Sequence, residues 1–360
     1  MDDVRVIAER LRSFAAAILE AVGVSAEDAL IAADVVVAAD VRGHESHGMA
    51  RLERYYVRPL QVGLIDPHAQ VTVRQQTPGS AVLDAHNGLG QPATKRAMDL
   101  CIEKARVTGI AIVSIRHSNH YGIAGYYAMQ ALPHAMLGIS STDAGPLAVP
   151  TGGTRGVLGS NPIAFAAPAG RHRPFVLDMA TSVVPVGKVE VKARRGIPLP
   201  AGWAVDGEGR PTDDARAVLE RLELGLPGGL LPLGGMEAGH KGFGLSAMVD
   251  ILCSVLGGAR SRLGDQASRP PGEPADVGHV VAALDLAAFG DVEEFTRDMD
   301  RYIDAMHAVP HTAGVDQVRV AGEPEFETEQ ERLRDGVPLH AGVAASLRAL
   351  GAELGVAVPF

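Results

Sequence analysis

Gly88-Leu89-Gly90-Gln91-Pro92-Ala93 follows a strand-like run at 81–84 and precedes a helical stretch, the place where a dinucleotide-binding fingerprint stands between strand and helix. Three features argue against that reading. His86 and Asn87 separate the strand from the first glycine, Pro92 lies inside the motif, and the next strand-like run ends in Arg116-His117, where an acidic ribose ligand is wanted. The segment reads instead as a glycine turn before a helix, in a sheet that is not of Rossmann type.

Around this turn, short β-branched runs separated by Gly and Pro alternate with helical stretches. Strands are expected at 81–84, 110–115, 137–141, 163–167, 175–179 and 279–286, and helices at 93–106, 123–136 and 243–256. The chain before them reads as helix. Ile7, Leu11, Phe14, Ile18 and Val22 share one face of 4–22; Ser25 to Asp28 resembles a capping box for a helix reaching Asp40; a third helix is expected from Ser46, as N-cap, to Gly63. Helix returns at 291–307 and twice within 324–355, and this C-terminal part is expected to pack beside the N-terminal bundle. The segment 264–278, with Pro270, Pro271 and Pro274, reads as an exposed loop or, alternatively, a lid. The expected fold class is therefore α/β of the α+β type. Its helical domain comes from both chain termini (1–75 and 291–360) and flanks a central sheet domain (76–290).

With 360 residues, 46% of them hydrophobic, the chain can bury a substantial core. A net charge of −10 without a basic tract makes nucleic acid and anionic membrane poor partners, so an anionic substrate must be held by a local cationic pocket. Cys101 and Cys253 lie in apolar stretches and suit buried thiols in a reducing compartment. Met1-Asp2-Asp3 carries no basic n-region, and no uncharged apolar run approaches the roughly 18 residues of a membrane span. A cytoplasmic location is expected.

Four of the 13 histidines stand beside serines and glycines in Gly43-His44-Glu45-Ser46-His47-Gly48 and His117-Ser118-Asn119-His120-Tyr121-Gly122. Imidazole changes charge near neutral pH, so this concentration points to proton transfer or metal binding. If His47 opens a helix, Arg51 lies one turn later on the same face, and an imidazole, a guanidinium and free N–H groups converge where a carboxylate would bind. The spacing is also His-x-x-His twice, which a metal-dependent hydrolase could use, although no carboxylate or cysteine accompanies it at ligand spacing.

Five further segments join these two in order: Gly159-Ser160-Asn161-Pro162, Leu177-Asp178-Met179-Ala180-Thr181-Ser182, Leu199-Pro200-Ala201-Gly202-Trp203-Ala204, Gly239-His240-Lys241-Gly242 and Gly322-Glu323-Pro324-Glu325. Together they resemble the malate/L-lactate dehydrogenase family of NAD(P)-dependent oxidoreductases, which is distinct from the Rossmann-type lactate and malate dehydrogenases. The resemblance runs from about Ala39 to Gly355. It implies a non-Rossmann cofactor domain, a homodimer, NAD or NADP as cofactor, and interconversion of a 2-hydroxy (or 2-amino) acid with its 2-oxo (or imino) partner. Family substrates include malate, lactate, sulfolactate, ureidoglycolate, diketogulonate and cyclic imino acids.

Carried over residue by residue, the resemblance makes His47 or His120 the acid–base group, supported by Ser46 and by Asp178 as a relay. Arg51 clamps the substrate carboxylate and Ser160 helps position it. Cofactor contacts are implied for His120, Tyr121, Gly122, Ile123 and Ala124, for Asp178, Met179 and Ala180, for His240 and Lys241, and for Gly322 and Glu323. Lys241 and Gly242 at the start of a helix from Phe243 would suit a pyrophosphate. Two departures stand out: Thr142-Asp143-Ala144 replaces a Thr-Asn-Ser type sequence, and Ser160 a commoner threonine. Asp143, if it faces the pocket, weighs against a dianionic substrate such as malate. A binding protein for small acids without catalysis is the third alternative.

Overall fold

A computed structural model describes residues 3–259 and 272–360. Strand β1 (Val4–Val6) leads into helices α1 (Ala8–Ala21) and α2 (Ala26–Val41), then two 3-10 turns (Glu45–His47 and Met49–Arg51), a π turn (Leu52–Val57) and the short α3 (Arg58–Gln61). The sheet region follows as β2 (Thr72–Thr77), β3 (Ser80–Asp84), α4 (Gly90–Thr108), β4 (Ile110–Ser118), α5 (Ala124–Met129), β5 (Met136–Thr142), β6 (Ile163–Ala167) and β7 (Phe175–Met179). A small lobe contains α6 (Val186–Arg195), β8 (Ala204–Val205), β9 (Pro211–Thr212), α7 (Ala215–Leu224) and β10 (Gly229–Leu230). Last come α8 (Gly235–Asp250), β11 (Val277–Asp285), α9 (Val292–His307), α10 (Glu323–Asp335), β12 (Val337–Leu339) and α11 (Ala341–Leu354).

The main sheet has seven strands in the order β2-β3-β4-β11-β5-β6-β7. Only β3 and β4 run parallel, joined by α4 as a crossover; every other neighbour is antiparallel. That pattern excludes a Rossmann sheet, whose strands are mostly parallel. β11 lies in the middle, and its run Val277 to Val281 is buried throughout, as a strand covered on both faces must be. Edge strand β2 is exposed along its whole length and carries a register shift between Val73 and Gln75, two devices that discourage edge-to-edge pairing. Its polar sequence hides it from an apolar pattern search.

Gly90 shows why the glycine-rich segment exists. A Cβ there would lie 2.1 Å from the carbonyl oxygen of Asn119 and 2.8 Å from that of His120. The start of α4 thus packs directly against the histidine segment that follows β4, and only a residue without a side chain permits it.

β1 pairs antiparallel with β12, Val4 opposite Leu339, and so ties the chain ends together. Val4 to Val6 is therefore strand, not the first turn of the expected helix. Leu11, Phe14, Ile18, Val36 and Tyr56 then share one apolar cluster with Val337, Leu347 and Leu350. The helix expected from Ser46 to Gly63 is replaced by the two 3-10 turns, the π turn and α3, because Gly48 and the buried Asp40 break its regularity. The expected 123–136 helix stops at Met129, short of Pro133 and of β5. The 243–256 helix begins earlier, at Gly235, with a break at Ala238. Of the expected loop at 264–278, residues 264–271 lie outside the described residues, and Val277 and Gly278 already belong to β11. The small lobe was not expected; it has its own cluster of Val184, Val189, Leu199, Val218 and Leu230, with Trp203 against it.

Gly90→Ala should cost about 1–3 kcal/mol, the usual penalty of overpacking a tight contact, read from the urea midpoint. An unchanged midpoint would mean that α4 does not need this approach.

Candidate active site

The sheet register gathers the chemistry at one end. His279 at the start of β11 lies beside Thr142 at the end of β5, and Ser118 ends β4 next to Val277. Ile163 at the start of β6 faces Met179 at the end of β7, so Ser160 and Asp178 belong to the same end. The helical layer delivers His44 to Arg51 over it.

That delivery rests on Asp40. Its buried Oδ2 accepts the Met49 N–H at 2.7 Å, and a Cβ on Gly48 would fall 2.0 Å from Oδ1, so the chain wraps tightly around this carboxylate. Burial raises the Asp40 pKa to about 7, against the opposing pull of the Met49 N–H. Ser46 does not cap a helix: the 3-10 turn starts after His44, which provides no side-chain cap, and Ser46 Oγ sits 2.9 Å from His47 Nδ1.

The two imidazoles meet as expected. Their rings stack with centroids 5.6 Å apart and planes 20° apart. The Tyr56 hydroxyl lies 2.6 Å from His120 Nδ1, and the Gly122 N–H donates to the same nitrogen at 3.3 Å. An N–H can only donate, so Nδ1 is the bare nitrogen and neutral His120 carries its proton on Nε2. Burial, reinforced by Arg51, lowers His47 to about 4, and burial with the neighbouring His47 and Arg51 places His120 well below its ordinary value. Both rings are therefore neutral near pH 7. Tyr55 packs edge-on to His120 at 5.0 Å.

Arg51 reaches the same place and is buried, but its fork is occupied. Nε donates to the Ser46 carbonyl at 2.6 Å, and the two terminal nitrogens reach Glu190 Oε1 and Oε2 at 3.3 and 2.8 Å. α6 comes this close because residue 187 is glycine: a Cβ there would lie 2.5 Å from that of Ser46.

Asp178 is half-buried and its Oδ2 accepts the Gly125 N–H at 2.7 Å. Burial raises its pKa, against the opposing charge of nearby His44, and among the described residues it makes no hydrogen bond to His47. It lines a cleft of about 340 Å³ together with Arg42, His44, Gly125, Arg319 and Gly322. Met179 and Ala180 continue from Asp178 at half-buried positions. Ser160 is also half-buried, and its carbonyl accepts the Thr181 N–H and hydroxyl. Tyr121 is a core residue, its ring stacked between Tyr127 and His279, and Ile123 and Ala124 are buried at the start of α5.

Three expectations change. Glu323 has its carboxylate on His307 Nε2 at 2.7 Å and on the Val320 N–H at 2.9 Å, so it braces the chain leading to Gly322. Lys241 is exposed in the first turn of α8 after its break at Ala238, beside exposed His240, while the Gly242 N–H donates to the Leu233 carbonyl. Of the donors expected for a pyrophosphate there, the Gly242 amide is thus already paired within the chain. Asp143 turns its carboxylate to the Ser254 hydroxyl and the Gly278 N–H, so the objection to dianionic substrates does not arise from it.

The His-x-x-His pairs separate. His117 turns to Asp84 at 3.1 Å while His120 turns to Tyr56, and among the described residues no three His, Cys, Asp or Glu side chains converge as a metal would need. Tyr56, Glu190 and His279 were missed. Tyr56 reads as an apolar helix position, and His279 as one residue of a strand.

Fold and site together find clear counterparts. The sequence pattern of the malate/L-lactate dehydrogenases matches residues 6–348. The chain belongs to the malate/L-lactate dehydrogenase family. A malate dehydrogenase of Pyrococcus horikoshii is 43% identical, over 98% of this chain and 96% of the relative. An L-sulfolactate dehydrogenase of Methanocaldococcus jannaschii is 36% identical over 94% of each. Among solved structures of the family, malate dehydrogenase from Entamoeba histolytica superposes with a TM-score of 0.95 at 32% identity, covering 99% of this chain and 100% of that one. Among the described residues no helix is long and apolar enough to cross a membrane.

His279 provides a pH test of the site's base. It is fully buried, bonded at Nδ1 to Thr142 Oγ1 at 2.7 Å and at Nε2 to Ser118 Oγ at 2.9 Å, and burial pushes its pKa down to about 3. The unfolded ring takes a proton near pH 6.5 and the folded ring resists it. Its contribution is thus complete above about pH 6.5 and lost as pH falls toward 3. Compared with His279→Gln, the wild type should lose stability over that window in urea titrations. A constant gap from pH 7.5 to 4.5 would show that the ring is not held neutral.

Proposed function

We propose that this family member interconverts a 2-hydroxy acid and its 2-oxo acid with NAD or NADP, using His47 and His120 for the proton and Arg51 for the substrate carboxylate. The observation that carries this reading is the stacked, neutral imidazole pair beside a buried guanidinium. The relatives named as malate and sulfolactate dehydrogenases support the reaction class.

The cleft fits a nicotinamide cofactor by the chemistry of its lining. Arg42 and Arg319 bring guanidinium groups to the cleft for phosphates, each shared with a carboxylate of α10 (Glu329 and Glu327), the Asp178 carboxylate can accept hydroxyl hydrogens, and His44 joins the cleft to His47. The turn from His120 to Ala124, with Met179, Ala180 and Gly322, completes the residues that would hold it. A bound nicotinamide supplies or accepts the hydride at its C4. Arg51 fixes the acid group and so aims C2. In oxidation a neutral imidazole of the pair, His120 or His47, takes the hydroxyl proton and becomes imidazolium, and in reduction the imidazolium gives that proton to the developing alkoxide. The adjoining ring passes this proton on, with Ser46 backing His47. Ser160 positions the substrate.

We further propose that cofactor binding centres on segment 76–290, with 1–75 and 291–360 as the helical cover, and that the protein works as a homodimer in the cytoplasm.

A panel of 2-oxo acids with NADH and with NADPH, followed at the nicotinamide absorbance, tests the reaction. Oxidation of neither cofactor with any acid would refute it. His47→Ala and His120→Ala should each lower turnover by about 10² or more, and wild-type turnover in both would remove the imidazoles from the chemistry. Arg51→Lys should chiefly raise KM, since a point charge cannot replace the fork; an unchanged KM with every acid turned over would exclude Arg51 from the site.

A further inference from the structure

The Arg51 fork is filled from within the chain. Of its five N–H groups, Nε–H goes to the Ser46 carbonyl and one on each terminal nitrogen goes to Glu190. The two that are left sit on different edges of the guanidinium. No edge then offers two parallel N–H groups to a second carboxylate, so an incoming acid cannot take the bidentate grip while Glu190 holds it.

Among the described residues no other hydrogen bond holds the Glu190 side chain there. Its described hydrogen bonds go to Arg51 alone, its side chain is 25% exposed against 10% for Arg51, and it is carried on α6. α6 belongs to the small lobe with its separate apolar cluster, and it touches the histidine segment through Gly187, Ser46 and Arg51. Glu190 can therefore leave by a side-chain rotation, or α6 can shift with its lobe, without opening either of the larger cores.

We propose that Glu190 is an internal carboxylate that occupies the substrate's anchoring position and competes with the 2-oxo acid for Arg51. The proposal rests on the assignment of Arg51 as the carboxylate anchor. Substrate affinity is then the intrinsic affinity of Arg51 reduced by the fraction of molecules in which Glu190 has let go. Glu190 sets KM and leaves the proton chemistry to the imidazoles.

The test is steady-state kinetics on the full-length wild type, Glu190→Gln and Glu190→Ala, the last of which suits a helix at least as well as glutamate. It is joined by titration with oxamate, an unreactive isostere of a 2-oxo acid, in the presence of cofactor. Both variants should lower KM and the oxamate Kd by about two- to fivefold, the worth of a partly exposed ion pair. KM and Kd that stay the same or rise in both variants overturn the proposal, because Glu190 would then be steadying Arg51 for its substrate. Should Gln disturb folding by circular dichroism, the Ala variant decides. A wild type that oxidises neither cofactor with any 2-oxo acid refutes the dehydrogenase reading instead, and is recognised before any variant is compared.

Discussion

Two imidazoles stacked face to face and largely withdrawn from water resist carrying positive charge, and much of the surrounding architecture answers to that constraint. Removing either ring from water disfavours its charged form, and a charged neighbour disfavours it further. The fold compensates with hydrogen bonds that suit neutral rings: a serine hydroxyl on His47, a tyrosine hydroxyl and a backbone N–H on His120. The positive charge proposed to hold the acid is that of Arg51, kept beside the rings by the Ser46 carbonyl and the Tyr55 face.

Bringing the rings together takes two close approaches from opposite directions. Gly90 lets α4 press on the segment carrying His120, and Gly48 lets the segment carrying His47 close around Asp40. Both are backbone contacts, in which the missing side chain matters more than any side chain present. The buried Asp40 and the half-buried Asp178 both have pKa values raised by loss of water, opposite in sign to the histidines. The site thus balances groups that favour folding at higher pH against groups that favour it at lower pH.

The sheet was legible because its strands are apolar and bounded by Gly and Pro: the expected 163–167 and 175–179 coincide with β6 and β7, and the other four strands differ only at their ends. β2 was not, because an exposed edge selects polar residues. The small lobe was not, because two-residue strands have no periodicity to detect. In the site, His47, His120, Arg51 and Asp178 could be named from their motifs, but their partners could not. Glu190 stands 139 residues from Arg51, and Tyr56 was indistinguishable from a core position. Local pattern identifies groups with reactive chemistry; which group quiets which depends on the tertiary fold.

The ribbon of Val4–Val6 with Val337–Leu339 has a consequence for how the molecule is made. On the ribosome, Leu11, Phe14 and Ile18 emerge hundreds of residues before Leu347 and Leu350, against which they are buried. α2 can cover much of this face early, but the part that meets α11 must wait until nearly the whole polypeptide has been synthesised. Such long-range closure slows folding and prolongs exposure to misassembly, so chaperone dependence in this protein should concentrate on its earliest-made helices.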